Sequence, residues 1–298
     1  MAAPYFRLQP SLVPVSSPVW LPRVLVAAIY GCYPQSLTPF HRMLLITLAG
    51  LLPAALLVYH IYRADFLQPE PLDQLKRAII FGIGSIFVSM LFSTPFEVLG
   101  LFSKTYSTMI GAFRLALFGA GIPEDLAKLI MLFLVVRKNP YFNEKMDGIV
   151  YAVCVSMGFA GFENLAYLGA AGENWFGVSV SRALLAVPCH YYNGVFMGYF
   201  FAKYWFESEN KFNNLCWALL APVITHTLYD FILMYMSVDN SPLVYTLLFA
   251  FLIYLCLQML KWSRKRISEH LDEDARNKDG YQKSERSAHD FYDRSDQV

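Results

Sequence analysis

Apolar residues in this chain come in long blocks rather than in alternation or as narrow amphipathic stripes. Seven blocks reach the about 20 mostly apolar residues that a helix needs to cross a bilayer: about 43–62, 78–102, 109–136, 146–169, 177–206, 215–236 and 243–262. The pattern predicts an all-α polytopic transmembrane helix bundle of seven spans, or eight if 19–33 also inserts. Ahead of the blocks, Pro4, Pro10, Pro14, Pro18, Pro22 and Pro34 break any long helix. An N-terminal extension over 1–42 is therefore expected, interfacial or a poor extra span, and it lacks the features of a signal peptide. The membrane domain is expected over 43–262. After Trp262 the chain turns to Ser, Asp, Glu, Lys, Arg and Asn, which predicts a solvent-exposed, mobile polar tail over 263–298.

Composition agrees with the blocks: the 298 residues are 56% hydrophobic and only 16% charged. A net charge of +1 and no basic stripe set aside nucleic acid as a partner. Cys32, Cys154, Cys189, Cys216 and Cys256 are scattered, form no C-x-x-C pair and are odd in number. That argues for small buried hydrophobes rather than a disulfide framework or zinc knuckle. Orientation follows from Lys and Arg, which gather on the cytoplasmic side. Arg63, Lys76, Arg77, Arg137, Lys138, Lys145, Lys203, Lys211, Lys261, Arg264, Lys265 and Arg266 fall at one set of ends, against Arg23, Arg42 and Lys104 at the other. The C-terminus is expected to be cytoplasmic.

Ionisable side chains recur inside the middle blocks, where each costs at least about 2.5–3.5 kcal/mol to insert. The third block carries Glu124, Asp125 and Lys128; the fourth, Glu163 and Asn164; the fifth, Arg182, His190 and Asn193; the sixth, His226 and Asp230. At 1.5 Å per residue, Glu124, His190 and His226 lie about 20 Å from the cytoplasmic end, and Glu163 and Asp230 about 25 Å. One polar site in the outer half of the membrane follows. His226 and Asp230, like Glu124 and Lys128, are four residues apart and share a helix face. Pro123 suits a first helical position, so a break there would put Glu124 at the positive end of a half-helix.

Bland readings stand beside these. Glu124 and Lys128 can form a neutralised structural pair, and Asp125 points about 100° away from Glu124. Asn164 and Asn193 can bridge helices. Arg182, Lys104 and Arg114 are placed to snorkel, and Gly194 and Gly198 are spaced for helix packing.

Carboxylates and imidazoles in a low-dielectric cavity suit activation of water for amide hydrolysis. In a metal version Glu163, His190 and His226 hold a divalent ion such as zinc while Glu124 takes the proton from water. Without a metal, Glu124 activates water itself and His190 or an Asn stabilises the oxyanion. Asp125 and Lys128 join Glu124 in the catalytic group, with Asp230, Asn164 and Arg182 supporting it or adding a ligand. The sequence has no H-E-x-x-H, G-x-G-D or G-x-S-x-G motif, and Cys189 points off a different helix face from His190. A proton- or cation-coupled transporter would use the same residue types, but no internal repeat or matched pair of broken spans favours it.

Several motifs in order resemble the PrsW-type intramembrane proteases, distant relatives of the CAAX-processing (ABI) membrane proteases. They are Asp65 with Pro69-Glu70-Pro71, Glu124 to Lys128, Asp147 to Tyr151, Gly158 to Tyr167, Arg182 through His190 to Gly198, and His226 to Asp230. The resemblance spans about 43–235. It implies a multi-spanning peptidase of the bacterial cytoplasmic membrane, usually classed as metal-dependent, that cuts single-span, membrane-anchored proteins such as an anti-sigma factor at its first site. It also implies catalytic assignments for Glu124, Glu163, His190 and His226. The family commonly has Glu-Glu where this chain has Glu124-Asp125, which shortens the second carboxylate by one methylene. The CAAX-type relatives look like glutamate proteases, so the resemblance leaves the metal open. An inactive member acting as a membrane binding protein is the third reading. The Pro69-Glu70-Pro71 turn is expected to position helices.

Overall fold

The computed structural model describes residues 38–239 and 241–295, with side chains as far as Lys278. The expected extension over 1–42 lies, apart from its last five residues, outside that range. Among the described residues the chain is all helical. The long elements are α1 (Pro39–Ala64), α2 (Leu72–Val98), α3 (Met109–Arg114), α4 (Ile122–Val136), α5 (Lys145–Ala170), α6 (Trp175–Ser181), α7 (Val187–Phe206), α8 (Lys211–Met236) and α9 (Pro242–Ser295). Wide π turns over Leu115–Gly121 and Arg182–Ala186 join α3 to α4 and α6 to α7.

By length and composition, α1, α2, α5, α8 and α9 can each cross a membrane. The blocks at 109–136 and 177–206 instead fold as composites of α and π turns, so a count of seven is not decided by continuous helices. Burial sorts the five. In α5, 78% of the most apolar window is buried, against 17% in α1 and α9. A helix apolar all round belongs inside a bundle, and α5 is the post around which α1, α2 and α7 pack.

Close approach to that post requires glycine. A Cβ on Gly198 of α7 would fall on the Gly148 carbonyl oxygen of α5, and one on Gly82 of α2 on the Val155 carbonyl oxygen. The packing role expected for Gly194 and Gly198 matches this geometry, since a Cβ on Gly194 would meet Ser156 Oγ at 2.8 Å.

The first amides of α5 lack helical acceptors, as at any helix start. Asp147 Oδ2 accepts from the Asn143 and Glu144 amides at 2.8 Å. Asp274 of α9 accepts from Lys145 N at 3.1 Å and Met146 N at 2.8 Å. The last helix thus caps the central one, which corrects the expectation of an exposed tail beginning at 263. Ser263, Ile267, His270 and Asp274 are buried, and His270 stacks on Tyr199 of α7 with ring centroids 4.4 Å apart. Their spacing of three and four residues puts them on one face of a helix, so the polar sequence continues α9 as a docked amphipathic stripe.

Candidate active site

Four helices, α4, α5, α7 and α8, bring ionisable groups together, and in three of them a proline precedes the key residue: Pro123 before Glu124, Pro188 before His190, Pro222 before His226. Proline offers no amide and clashes with the carbonyl four residues back. In two of the helices the backbone responds by widening. Ile122 N–H reaches the Leu117 carbonyl and Val187 N–H the Arg182 carbonyl, each five residues back. The helix does not break at Pro123. Backbone angles stay helical through Gly121 (φ −49°, ψ −58°) and Ile122 (φ −65°, ψ −53°), so Glu124 gains no half-helix terminus. The π turn instead rotates Glu124 and Asp125 toward α8. Gly121 allows the approach, because a Cβ there would collide with Thr227 Oγ1.

Lys128, 1% exposed, lies at the floor. Its Nζ lies 3.3 Å from Glu124 Oε2, 3.3 Å from Asp125 Oδ1 and 3.4 Å from His190 Nδ1, and 4.0 Å from the centroid of the Phe159 ring. An ammonium only donates, so His190 Nδ1 accepts and its Nε2–H donates to Glu163 Oε2 at 3.0 Å. His226 Nδ1 faces Asp125 Oδ2 at 3.1 Å. Its Nε2 lies 3.5 Å from Asp230 Oδ2 and 3.8 Å from Glu124 Oε2. The two imidazoles meet edge to face, 5.2 Å between centroids. Asp125, Lys128, His190 and His226 are buried, whereas Glu124, Glu163 and Asp230 are partly exposed. The cleft therefore opens on its carboxylates.

Arg182 does not snorkel. Its Nη2 donates to Glu163 Oε2 at 2.6 Å and its Nε to Asn164 Oδ1 at 2.5 Å, with the guanidinium 4.0 Å over the Tyr167 ring. Arg114 also turns inward, donating to the Leu101 and Gly100 carbonyls, and Lys104 pairs with Glu97 at 2.8 Å. Asn164 donates to the Gly50 carbonyl of α1 at 3.1 Å. Asn193 accepts from Thr225 of α8 at 2.6 Å. Both asparagines bridge helices. Phe159 and Tyr167, the aromatic platforms under the two cations, fall inside the Gly158 to Tyr167 motif, but the sequence reading gave them no role. A signal was present: Phe159, Glu163 and Tyr167 repeat every four residues on one face of α5.

Four carboxylates and two fixed cations share this cleft, a deficit of positive charge that buried ions do not tolerate without compensation. A proton on His226, which faces three of the carboxylates, would supply part of it, and a metal ion would also do so. Glu124, His190 and His226 each offer a donor atom within 4.8 Å of the others, a nitrogen and oxygen set suited to zinc. Glu163, expected as a ligand with His190 and His226, faces Arg182 and His190.

Against known proteins, the family described as "PrsW family intramembrane metalloprotease" matches residues 70–256. The chain is 31% identical over 190 residues to "Protease PrsW" of Clostridioides difficile, covering 63% of this chain and 78% of that protein. It is 32% identical over 197 residues to "Protease PrsW" of Bacillus subtilis, covering 65% and 85%. No solved structure matches.

Proposed function

The chain belongs to the PrsW family, and from that premise we propose that it hydrolyses a peptide bond in a single-span membrane protein, with Glu124 taking the proton of the attacking water. It is an integral membrane protein of a protease family. The finer reading places it in a bacterial-type cytoplasmic membrane with its C-terminus cytoplasmic, and gives it an anti-sigma-factor-like substrate cut at its first site. The observation that carries the reading is the convergence of Glu124, Glu163, His190, His226 and Asp230 on one cleft that opens at its carboxylates.

The chain's own groups have distinct tasks in this reading. Glu124, anchored by Lys128 at 3.3 Å, presents an acceptor oxygen toward the cleft mouth, where a water can lie. Asp125 fixes His226 through Nδ1, leaving Nε2 toward Glu124 and Asp230 to pass a proton to the departing amine. His190 and Arg182 converge on Glu163 Oε2. Both donors are taken up by that carboxylate and hold it in place at the edge of the cleft.

A divalent ion such as zinc, held by Glu124, His190 and His226 or by Glu163, His190 and His226, would act when bound as a Lewis acid and lower the pKa of a water. The metal-free reading keeps a specific observation in its favour: both His190 nitrogens are already paired, to Lys128 and Glu163. Elemental mass spectrometry of detergent-purified protein separates the two. About one zinc per chain, lost in His226→Ala, supports the metal version. Protein without zinc whose proteolysis persists in strong chelator supports Glu124 acting alone.

A further inference from the structure

A second group of carboxylates lies at the opposite end of α5. Asp147 is 16 residues from Glu163 on that helix, about 24 Å at the α-helical rise. Asp65, just past the end of α1, is fully buried, and Glu144 and Asp147 at the start of α5 are 8% and 1% exposed. The three offer oxygens within 4.8 Å of one another.

What marks this as more than a pairing of acids is what the oxygens lack. Neither oxygen of Asp65 meets a hydrogen-bond donor, nor do Glu144 Oε1 and Asp147 Oδ1. Buried polar atoms in native proteins are satisfied as a rule, and buried carboxylates above all. Glu70 is also buried there, accepting from Tyr151 OH. Lys278 reaches only Glu144 Oε2, at 3.1 Å, while Lys145 is turned to Glu207 and Glu273. One ammonium therefore serves four clustered carboxylates.

We propose that Asp65, Glu144 and Asp147 form a binding site for a hard divalent cation that ties the end of α1 to the start of α5. Three carboxylates with no nitrogen or sulfur donor select calcium, magnesium or manganese over zinc. A cavity of about 510 Å³ lined by Glu144, Asp274 and Lys278 opens beside the cluster, giving an entry path and room for completing waters. The ion would clamp the turn that carries Pro69-Glu70-Pro71, from which Glu70 reaches Tyr151. It does so far from the proteolytic cleft, and independently of what that cleft does.

The test is calorimetric titration of EDTA-stripped full-length protein with calcium chloride and, separately, magnesium chloride. Wild type and His226→Ala should each bind one ion per chain saturably, with affinity falling at least tenfold in both Asp65→Asn and Glu144→Gln. In parallel, the added cation should raise the melting temperature of wild type and leave that of Asp65→Asn unchanged. Because these carboxamides remove buried charge at constant shape, both variants should melt in EDTA at or above the wild-type temperature. Equal binding by wild type and both carboxamide variants would overturn the proposal. So would the absence of saturable binding of either cation by wild type at millimolar concentration, or loss of binding in His226→Ala alone.

Discussion

Within the cleft each titratable side chain is held by a group of opposite character, on its own helix or on a neighbouring one, so single substitutions separate support from chemistry. Arg182 is the clearest support. Its guanidinium spans Glu163, Asn164 and the Tyr167 ring, and Arg182→Met strands Glu163 in a largely buried setting. Removing one member of such a pair costs about 3–5 kcal/mol, readable as reduced resistance to denaturant in detergent. The double variant Arg182→Met/Glu163→Gln, which leaves no stranded charge, should recover a measurable part of that loss. Lys128→Met should behave in the same direction, since it takes the ammonium from both Glu124 and Asp125. At this scale much was legible in the sequence. Counting 1.5 Å per residue from each span's end put Glu124, Glu163, His190, His226 and Asp230 near one level, and the helices bring them together. The fate of Arg182 was not legible, because snorkelling and pairing require the same residue at the same depth. Only the position of Asn164 and Tyr167 across the helix interface decides between them.

Between elements, the decisive features are the two π turns and the glycine contacts. A 3.6-residue period cannot reveal a π turn, because the sequence shows where a proline removes an amide but not whether the helix breaks, kinks or widens. Pro123 and Pro188 sit just after such turns, and both helices stay continuous. Gly121 is where the widened turn meets α8, so Gly121→Ala should push Thr227 away and part Asp125 from His226, whose rings and carboxylates lie at hydrogen-bond range. The expected outcome is a fall in proteolysis with a smaller change in melting temperature. Thr227→Ala should restore activity in the double variant, because the clash is with Oγ1 while the Thr227 Cβ lies 3.5 Å from the added methyl. The docked part of α9 was legible in hindsight through Ser263, Ile267, His270 and Asp274, whose spacing is helical. Polar composition hid it, because an amphipathic stripe built partly from His, Ser and Asp does not register as apolar periodicity.

Over the described residues the molecule is a bundle built around a buried α5, with the apolar windows of α1 and α9 largely exposed and a polar cleft near the α5 C-terminal end. The charge asymmetry of the loops predicts which end faces the cytoplasm. In a background with Cys32, Cys216 and Cys256 replaced by serine, Ser208→Cys between α7 and α8 should react with a membrane-impermeant maleimide only from the cytoplasmic face. Ser241→Cys between α8 and α9 should react only from the other. Both positions are exposed. The opposite labelling would invert the proposed topology and the side from which substrate enters.

The central claim concerns Glu124, and proteoliposomes carrying a single-span reporter that the wild type cleaves test it most directly. The measurement is the initial cleavage rate of wild type against Glu124→Gln, with both melting temperatures recorded. Loss of a general base lowers rates by about 10²–10⁴-fold. The account predicts a drop of at least about 100-fold in Glu124→Gln with the melting temperature essentially unchanged. Cleavage by folded Glu124→Gln at the wild-type rate would contradict it.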